Sequence, residues 1–398
     1  MRKPHVLIVG AGIGGLAATL ALLQRGFDVD VYEQAPELKE VGAGVSISAN
    51  GSAALFALGL EAPLRACAVS ANQRDVRLWS TGQTWSLYRG GPPAEQRYGY
   101  PSFTLHRVDL HGMLLEAVRL LKPGAIHLNH RCTGFDNTDG GVVVAFEGRG
   151  SATGDVLVGA DGIHSKIRHH LFGPAHPRST GQMAWRGVAP MNGLPASLQK
   201  VAQVTWIGPT AHISCYPVRN CELFNFVGQV DRDDWQVESW IQEGSLEECL
   251  ADFPGWHPDV KRMIENNSKL YKWALFLRDP LPHWTEGRVT LLGDACHSML
   301  PYLGQGANSA MEDGLVLARC METSGAEPGD ALRRYEAARR ERTTRIVEAS
   351  AEMASTFHNK ALAHPDTADK YIAEQWHPDT VRARYDWIYG YDASKVPC

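Results

Sequence analysis

The apolar positions of the chain fall into runs of different period, and the period names the element. In "HVLIVGAGIGGLAATLALLQRGFDVDVYEQ", His5 to Gln34, the residues Val6 to Val9 form an unbroken apolar run led by His5, the mark of a strand buried on both faces. Gly10, Gly12 and Gly15 interrupt it, "LAATLALLQRG" predicts a helix ending at Gly26, and "DVDVYE" predicts a second strand closed by Glu33. "SFTLHRVDLHGMLLEAVRLL" starts as a strand and passes through His106, Arg107, Val108 and Asp109 into a helix. "GVVVAFEG" reads as a hairpin strand and "DVLVGADGIHSKIRHHLFG" as strand, turn and helix. From about 181 to 279 short alternating runs such as "QVTWIG", "HISCYPV" and "ELFNFVGQV" predict antiparallel strands with one wet face. "GRVTLLGDACHSMLPYLGQGANSAMED" returns to the strand–turn–helix style, and "DALRRYEAARRERTTRIVEASAEMAST" predicts a long amphipathic helix with a charged outer face. The expectation is an α/β protein. Its nucleotide-type domain is assembled from residues 1–75, 101–180 and 280–330, a β-rich domain takes 76–100 and 181–279, and a helical segment covers 331–398.

Composition narrows this picture only at its edges. The 398 residues exceed one ordinary core, and 44% hydrophobic with 21% charged residues is a globular composition. The net charge is -5 with both signs interspersed, and the densest basic stretch, "RRYEAARRERTTR", reads as a solvated helix face. A nucleic-acid partner is therefore not expected. Arg2-Lys3 before "VLIVGAGIGGLAATLALL" imitates a signal peptide, but glycines break the run and another strand pattern follows directly. No other segment approaches the roughly 20 apolar residues of a membrane span. The eight cysteines contain no CxxC pair and no Cys/His cluster of zinc spacing. Reduced thiols, no metal, no membrane and a cytoplasmic location are the expectations.

The chemistry lies in three turns. GxGxxG directly after a strand, opening a helix and followed by an acid at the end of the next strand, is the full dinucleotide fingerprint. Gly10 permits the tight turn, Gly12 lets a pyrophosphate approach the backbone, and Gly15 lets helix and strand pack closely. The helix N-terminus offers free N–H groups and a positive dipole end, and Glu33 accepts from a ribose diol. Asp294, at the end of the downstream strand, can bond sugar-alcohol hydroxyls, and "GQGAN" (304–308) places N–H groups at the start of the next helix. A molecule touching both Gly12 and this turn is extended, and FAD fits. Taken alone, the second unit also reads as a capped helix with Asp294 in its turn. "DVLVGADGIHSKIR" supplies a third turn, with Asp161-Gly162, Ser165 and Arg168; by itself it passes for structure.

Together, GxGxxG, then D-G-x-x-S-x-x-R, then G-D-A-x-H resembles the single-component flavin-dependent aromatic monooxygenases. "HRVDLH", "VGADGIHSKIR", "GRVTLLGDACH" and the terminal "DWIYGYD" are most similar to the salicylate hydroxylase, 3-hydroxybenzoate 6-hydroxylase and 6-hydroxynicotinate hydroxylase branches, over nearly the whole chain. The resemblance implies a Rossmann-like FAD-binding domain of the p-hydroxybenzoate hydroxylase-like type, with an inserted β-rich substrate domain and C-terminal helices. It implies that Asp294 binds the ribitol, that Arg107 lies on the phosphate side, and that Asp161 and Arg168 belong to a motif linked with both FAD and the pyridine nucleotide. Ile13, Gly14 and Gln34 in the first unit, and Gly304, Gly306, Ala307 and Asn308 in the last, complete the expected cofactor set. NADH or NADPH would bind transiently. The implied activity is hydroxylation of a small phenolic or hydroxy-heteroaromatic carboxylic acid with O2, through a flavin C4a-hydroperoxide, by a monomer or homodimer.

A phenol reacts better as phenolate, so a base near the ring helps. In "HISCYPV" the residues His212, Ser214 and Tyr216 share one strand face. A histidine base and a tyrosine contact there resemble the pocket of the 3-hydroxybenzoate and 6-hydroxynicotinate enzymes; read without that context, His212 is a surface strand histidine. Pro301 and Tyr302 join His212 and Tyr216 as expected substrate contacts. The 3-hydroxybenzoate 6-hydroxylases carry a glutamine where Pro301 stands, and "MLPY" before "GQGA" is more similar to the salicylate type. His297 is expected to shape the turn, and the tryptophans and "RYDWIYGYD" to pack as core. A flavoprotein of the same fold with non-hydroxylating chemistry, or a non-catalytic FAD-binding protein, remains the alternative; the W-x-W-x-I-P stretch of flavin halogenases is absent.

Overall fold

A computed structural model describes residues 2–38, 42–71, 73–89, 92–138, 140–174, 176–199, 203–235, 237, 242–323 and 327–398. The apolar run at the start becomes the strand His5–Val9, inside a six-stranded sheet. The strands Asp28–Tyr32 and Val156–Gly159 flank it in parallel, Ile126–His127 extends one side, and Val289–Leu291 with Thr285–Glu286 extends the other. Leu7, Ile8, Leu157 and Val158 are wholly buried, as a parallel sheet covered on both faces requires. The helices Ile13–Gln24, Arg107–Leu121 and Gly306–Thr323 pack together over this sheet.

The second sheet has eight strands, in the order Glu243–Gly244, Leu270–Leu277, Arg178–Pro190, Leu223–Asp231, Ala211–Val218, Gln203–Ile207, Gln73–Leu78, Thr84–Arg89. Its pairings are antiparallel except one: Gln203–Ile207 runs parallel to Gln73–Leu78. The alternation read along 181–279 could not reveal that, because Gln73–Leu78 comes from far upstream. Period two divides the sheet's faces. Trp185, Val204, Trp206, Ile213, Cys215, Phe224 and Phe226 point into a closed apolar core. Arg74, Arg186, Gln203, Ser214, Tyr216, Val227 and Gln229 have the opposite parity and stand on the other face.

Two small antiparallel sheets complete the β structure. One is the meander Cys132–Thr138, Gly141–Phe146 and Gly150–Gly154; the other joins Gly44–Ile47, Phe103–His106 and Val69–Ser70. The long helix is Pro328–Phe357, 30 residues, and the chain ends in the helices Pro365–Gln375 and Pro378–Tyr389. The aromatic tail packs inward: Tyr385 and Ile388 are buried, and the Tyr391 ring lies 3.7 Å from the Arg342 guanidinium. No described helix is long and apolar enough to cross a membrane.

Candidate active site

The first turn is shaped by what its glycines must miss. Gly10 has φ 105°, and a Cβ there would stand 2.3 Å from the Ala160 carbonyl oxygen. A Cβ on Gly15 would lie 2.0 Å from the Gly10 oxygen, and one on Gly14 2.7 Å from Leu292. These three glycines serve close packing between helix and strand. Gly12 differs: a Cβ there would meet no atom within 4 Å, because Gly12 borders a cavity of about 380 Å³. Helix Ile13–Gln24 begins beside it with no side-chain cap and no acid in its first turn among the described residues. Its leading N–H groups and dipole are thus presented to an anion. Glu33 Oε2 accepts from the Ala11 amide (2.9 Å) and Oε1 from the Ala35 amide (2.9 Å), so its carboxylate braces the turn while each oxygen keeps a lone pair. Gln34 is exposed beside it.

The downstream unit closes the same cavity. Strand Val289–Leu291 leads to Gly293 at φ 65°, and the four-residue helix Asp294–His297 follows. Asp294 is exposed and lines the cavity together with Arg107, Gly304, Gly306 and Ala307. Gly304 takes the left-handed conformation (φ 63°), turning the chain so that Gly306 opens the next helix. Asn308 is wholly buried: its Nδ2 donates to the Ser46 and Gly304 carbonyls, and its Oδ1 accepts from the Ser48 amide. It clamps the turn onto strand Gly44–Ile47. Beneath lies a buried ionic layer that sequence reasoning missed. Arg339 contacts Glu312 at 2.6 Å and Asp313 at 2.8 Å, and Arg342 contacts Glu312 at 3.1 Å. Burial works against both carboxylates, but Arg342 and Arg339 on Glu312, and His297 and Arg339 on Asp313, hold their pKa values below the ordinary range. Asp313 Oδ2 also accepts from the Gly293 amide (3.2 Å) and lies 2.5 Å from His297 Nε2. The ionic layer thereby fixes the loop that carries Asp294.

The third turn is placed differently. Asp161 accepts from the Ser165 hydroxyl (2.5 Å) and from the Lys166 and Ile167 amides, and Ser165 caps helix Lys166–Phe172. Arg168 donates to the Ala295 carbonyl at 3.0 Å and the Ile163 carbonyl at 2.6 Å. It borders a second cavity of about 250 Å³ on the far side of the Asp294–His297 helix, shared with Arg278, Trp284 and His297.

The floor of the main cavity is the polar face of the eight-stranded sheet. Ser214, Tyr216, Gln203, Gln229, Arg74 and Arg186 line it, with Trp273, Leu300, Pro301 and Tyr302 as apolar and aromatic wall. The two arginines were not found from sequence. Arg186 is 2% exposed, its guanidinium 5.3 Å from the Tyr271 ring and 5.5 Å from that of Trp273; Arg74 lies 5.4 Å from the Tyr385 ring. The signal for Arg186 was a cation inside the otherwise apolar strand text "MAWRGVA". Burial pushes the Tyr216 phenol pKa up from its ordinary value.

His212 shares the face of Ser214 and Tyr216 but sits just behind the wall. It pairs across the sheet with Gln229, and the rings of Tyr302 and Phe357 pack over it at 5.2 and 4.6 Å. Its Nδ1 lies 2.7 Å from His358 Nε2, and His358 Nδ1 lies 2.6 Å from Asp231 Oδ1. Burial holds the His212 pKa well below the usual imidazole range, so the ring is neutral at pH 7.

Residues 3–350 match the family model described as FAD binding domain. The chain is 36% identical to the 3-amino-4-hydroxybenzoate 2-monooxygenase PtmB3 of Streptomyces platensis over 396 residues, covering 99% of this chain and 98% of that one. It is 36% identical to the 3-hydroxybenzoate 6-hydroxylase of Polaromonas naphthalenivorans over 388 residues, covering 97% and 96%. The crystal structure of Klebsiella pneumoniae HpxO complexed with FAD and uric acid superimposes with a TM-score of 0.83 at 26% identity, covering 99% of this chain and 97% of that chain.

Proposed function

The chain belongs to the FAD-binding domain family, and from that membership we propose that it is an FAD-dependent monooxygenase that hydroxylates a small phenolic or hydroxy-heteroaromatic carboxylic acid. One observation carries the substrate class. The cavity that begins at the dinucleotide turn ends on a floor bearing two arginines, Arg186 and Arg74, suited to an aromatic carboxylate. The cradle suits FAD: uncrowded Gly12 and an uncapped helix N-terminus for the pyrophosphate, Asp294 for the ribitol, and the Gly304–Ala307 amides for an anionic ring edge. Bound there, FAD supplies electrons taken from NADH or NADPH and the activated oxygen that enters the aromatic ring.

The protein's part is to bind, orient, keep dry and deprotonate. Arg186 and Arg74 hold the carboxylate, which fixes which ring carbon is presented. Ser214, Tyr216 and Gln229 offer hydrogen bonds to ring substituents, and Trp273, Leu300, Pro301 and Tyr302 exclude water. Neutral His212, which stands behind Tyr302 and Gln229 and does not itself line the cavity, serves as the base for the phenol proton across one bridging water. Glu33 and Gln34 flank the ribose end, and Arg107 the phosphates. Asp161 and Arg168 serve both FAD and the pyridine nucleotide through structure: Asp161 holds the start of helix Lys166–Phe172, and Arg168 from that helix braces the Asp294–His297 helix at the Ala295 carbonyl. A cytoplasmic monomer or homodimer with reduced thiols completes the reading; no disulfide joins the described cysteines.

Anaerobic stopped-flow bleaching of the flavin by NADH, then NADPH, tests it, with salicylate, 3-hydroxybenzoate, 3-amino-4-hydroxybenzoate, 6-hydroxynicotinate or no aromatic present. Strong acceleration by one acid is the expected result; bound FAD with no acceleration and no hydroxylated product from any of them would sink the proposal. Asp294→Ala should weaken FAD retention by about 10- to 100-fold, the value of a hydrogen bond to a charged group. Undiminished flavin content after purification would remove Asp294 from the cradle.

A further inference from the structure

We infer that Asp231, His358 and His212 form a proton path from the surface to the cavity wall, in which Asp231 and His358 set His212 as a base through its Nε2. The inference rests on the hydroxylase reading and adds two positioning residues to it. It starts from an asymmetry of hydrogen-bonding capacity. An ionised carboxylate only accepts, so at 2.6 Å from Asp231 Oδ1 the His358 Nδ1 must carry the hydrogen. Neutral His358 then has a bare Nε2, and across 2.7 Å that nitrogen accepts from the His212 Nδ1–H. Neutral His212 is left with its lone pair on Nε2, the nitrogen that meets no hydrogen-bond partner among the described residues. The carboxylate therefore dictates the tautomer of a ring two residues removed.

The placement suits proton export. His212 is 1% exposed and His358 has a side-chain exposure of 3%, whereas Asp231 is 41% exposed, so the path runs from the interior to solvent. Its inner end abuts the floor. Gln229, the cross-strand partner of His212, lines the cavity, and its Oε1 is buried without a partner. Gln182 steadies the outer end by donating to Asp231 Oδ1 (2.8 Å) while its Oε1 accepts from the Tyr302 hydroxyl (2.5 Å). The titratable groups packed around His212 are Tyr302, His358 and, through His358, Asp231. Burial raises the Asp231 pKa, but the hydrogen bonds from His358 and Gln182 outweigh it, keeping the carboxylate ionised and acceptor-only at neutral pH. Burial pushes the Tyr302 phenol pKa up from its ordinary value. The proton balance is one in, one out. A phenol proton crosses one water to His212 Nε2, the His212 Nδ1 proton passes to His358 Nε2, the His358 Nδ1 proton passes to Asp231, and Asp231 releases it to solvent.

Two variants and one spectrum test this on the FAD-loaded protein, with flavin content as the check on folding. His358→Gln keeps hydrogen-bonding capacity but cannot carry a proton. Asp231→Asn lets an amide donate to His358 Nδ1 and so reverses the chain. With the panel acid that accelerates flavin reduction most, hydroxylation should fall about 100-fold in both variants at neutral pH. It should recover as the pH approaches the free phenol's own pKa, about 10. A loss uniform across pH, or an unchanged pH profile, overturns the path. If His358→Gln does not fold, Asp231→Asn, at the exposed end, decides alone. Ring-nitrogen NMR on the unsubstituted holoprotein reads the tautomer without any aromatic: Nδ1–H on His212 is expected, and Nε2–H at neutral pH overturns the assignment. A protein with the expected tautomer that hydroxylates no aromatic acid would instead count against the functional reading beneath it.

Discussion

Replacing Arg339 with methionine should lower the unfolding free energy by about 3–5 kcal/mol and release FAD from the folded fraction that remains. Arg339 is wholly buried between Glu312 and Asp313, also wholly buried. Each charge left water to be there, and the layer holds because every carboxylate meets a cation. Methionine fills similar space and leaves two interior carboxylates short of a partner, the costliest way to break such a layer. Asp313 also holds the Gly293 amide, so the Asp294 loop should slacken as well. Urea unfolding with and without added FAD measures both effects. A second substitution, Asp313→Asn, placed on top of the first should recover part of the stability by removing a stranded charge. A loss below about 1 kcal/mol for Arg339→Met would show that the layer carries little of the fold.

Arg186→Gln should raise the dissociation constant of the aromatic acid about 10- to 100-fold, the worth of charge-assisted hydrogen bonds of about 1.5–3 kcal/mol. The carboxamide analogue of the same acid separates charge from packing. Arg186 stacks between Tyr271 and Trp273, and a glutamine loses that contact for any ligand. A selective loss for the acid identifies the anchor. Equal losses for acid and amide would reduce Arg186 to a packing residue. Arg186→Lys should fall between, because a point charge lacks the planar fork that a carboxylate meets with two bonds. Flavin fluorescence titration reads all three.

What the sequence disclosed and what it withheld follow one physical line. The two turns at the cavity were legible because each is built from contiguous backbone: Gly10, Gly12 and Gly15 lie together at the start of the chain, and Asp294 lies shortly before the 304–308 turn. The alternation of "HISCYPV" correctly put Ser214 and Tyr216 on one face. It could not say which strands lie beside them, and Arg74, Arg186, Gln229 and Asp231 enter through register between distant segments. His358 was invisible for another reason: it sits just past the end of a helix whose C-terminal docking depends on the sheet it meets. Asp161-Gly162 and Ser165 were readable locally as a turn entering a helix, and the structure adds that Ser165 caps that helix while Asp161 accepts from its first amides.

Helix Pro328–Phe357 has a consequence for how the gene can change. Its 30 residues make a rod about 45 Å long, with Arg339 at its twelfth position under the cofactor loop and His358 just past its C-terminal end, beside His212. Substitutions on its solvent side leave both ends where they are. A single codon gained or lost between Arg342 and Phe357 would turn one end relative to the other by about 100° and slide it by about 1.5 Å. Arg339 and His358 could not then both reach their partners. In this stretch the count of residues is under tighter constraint than their identity.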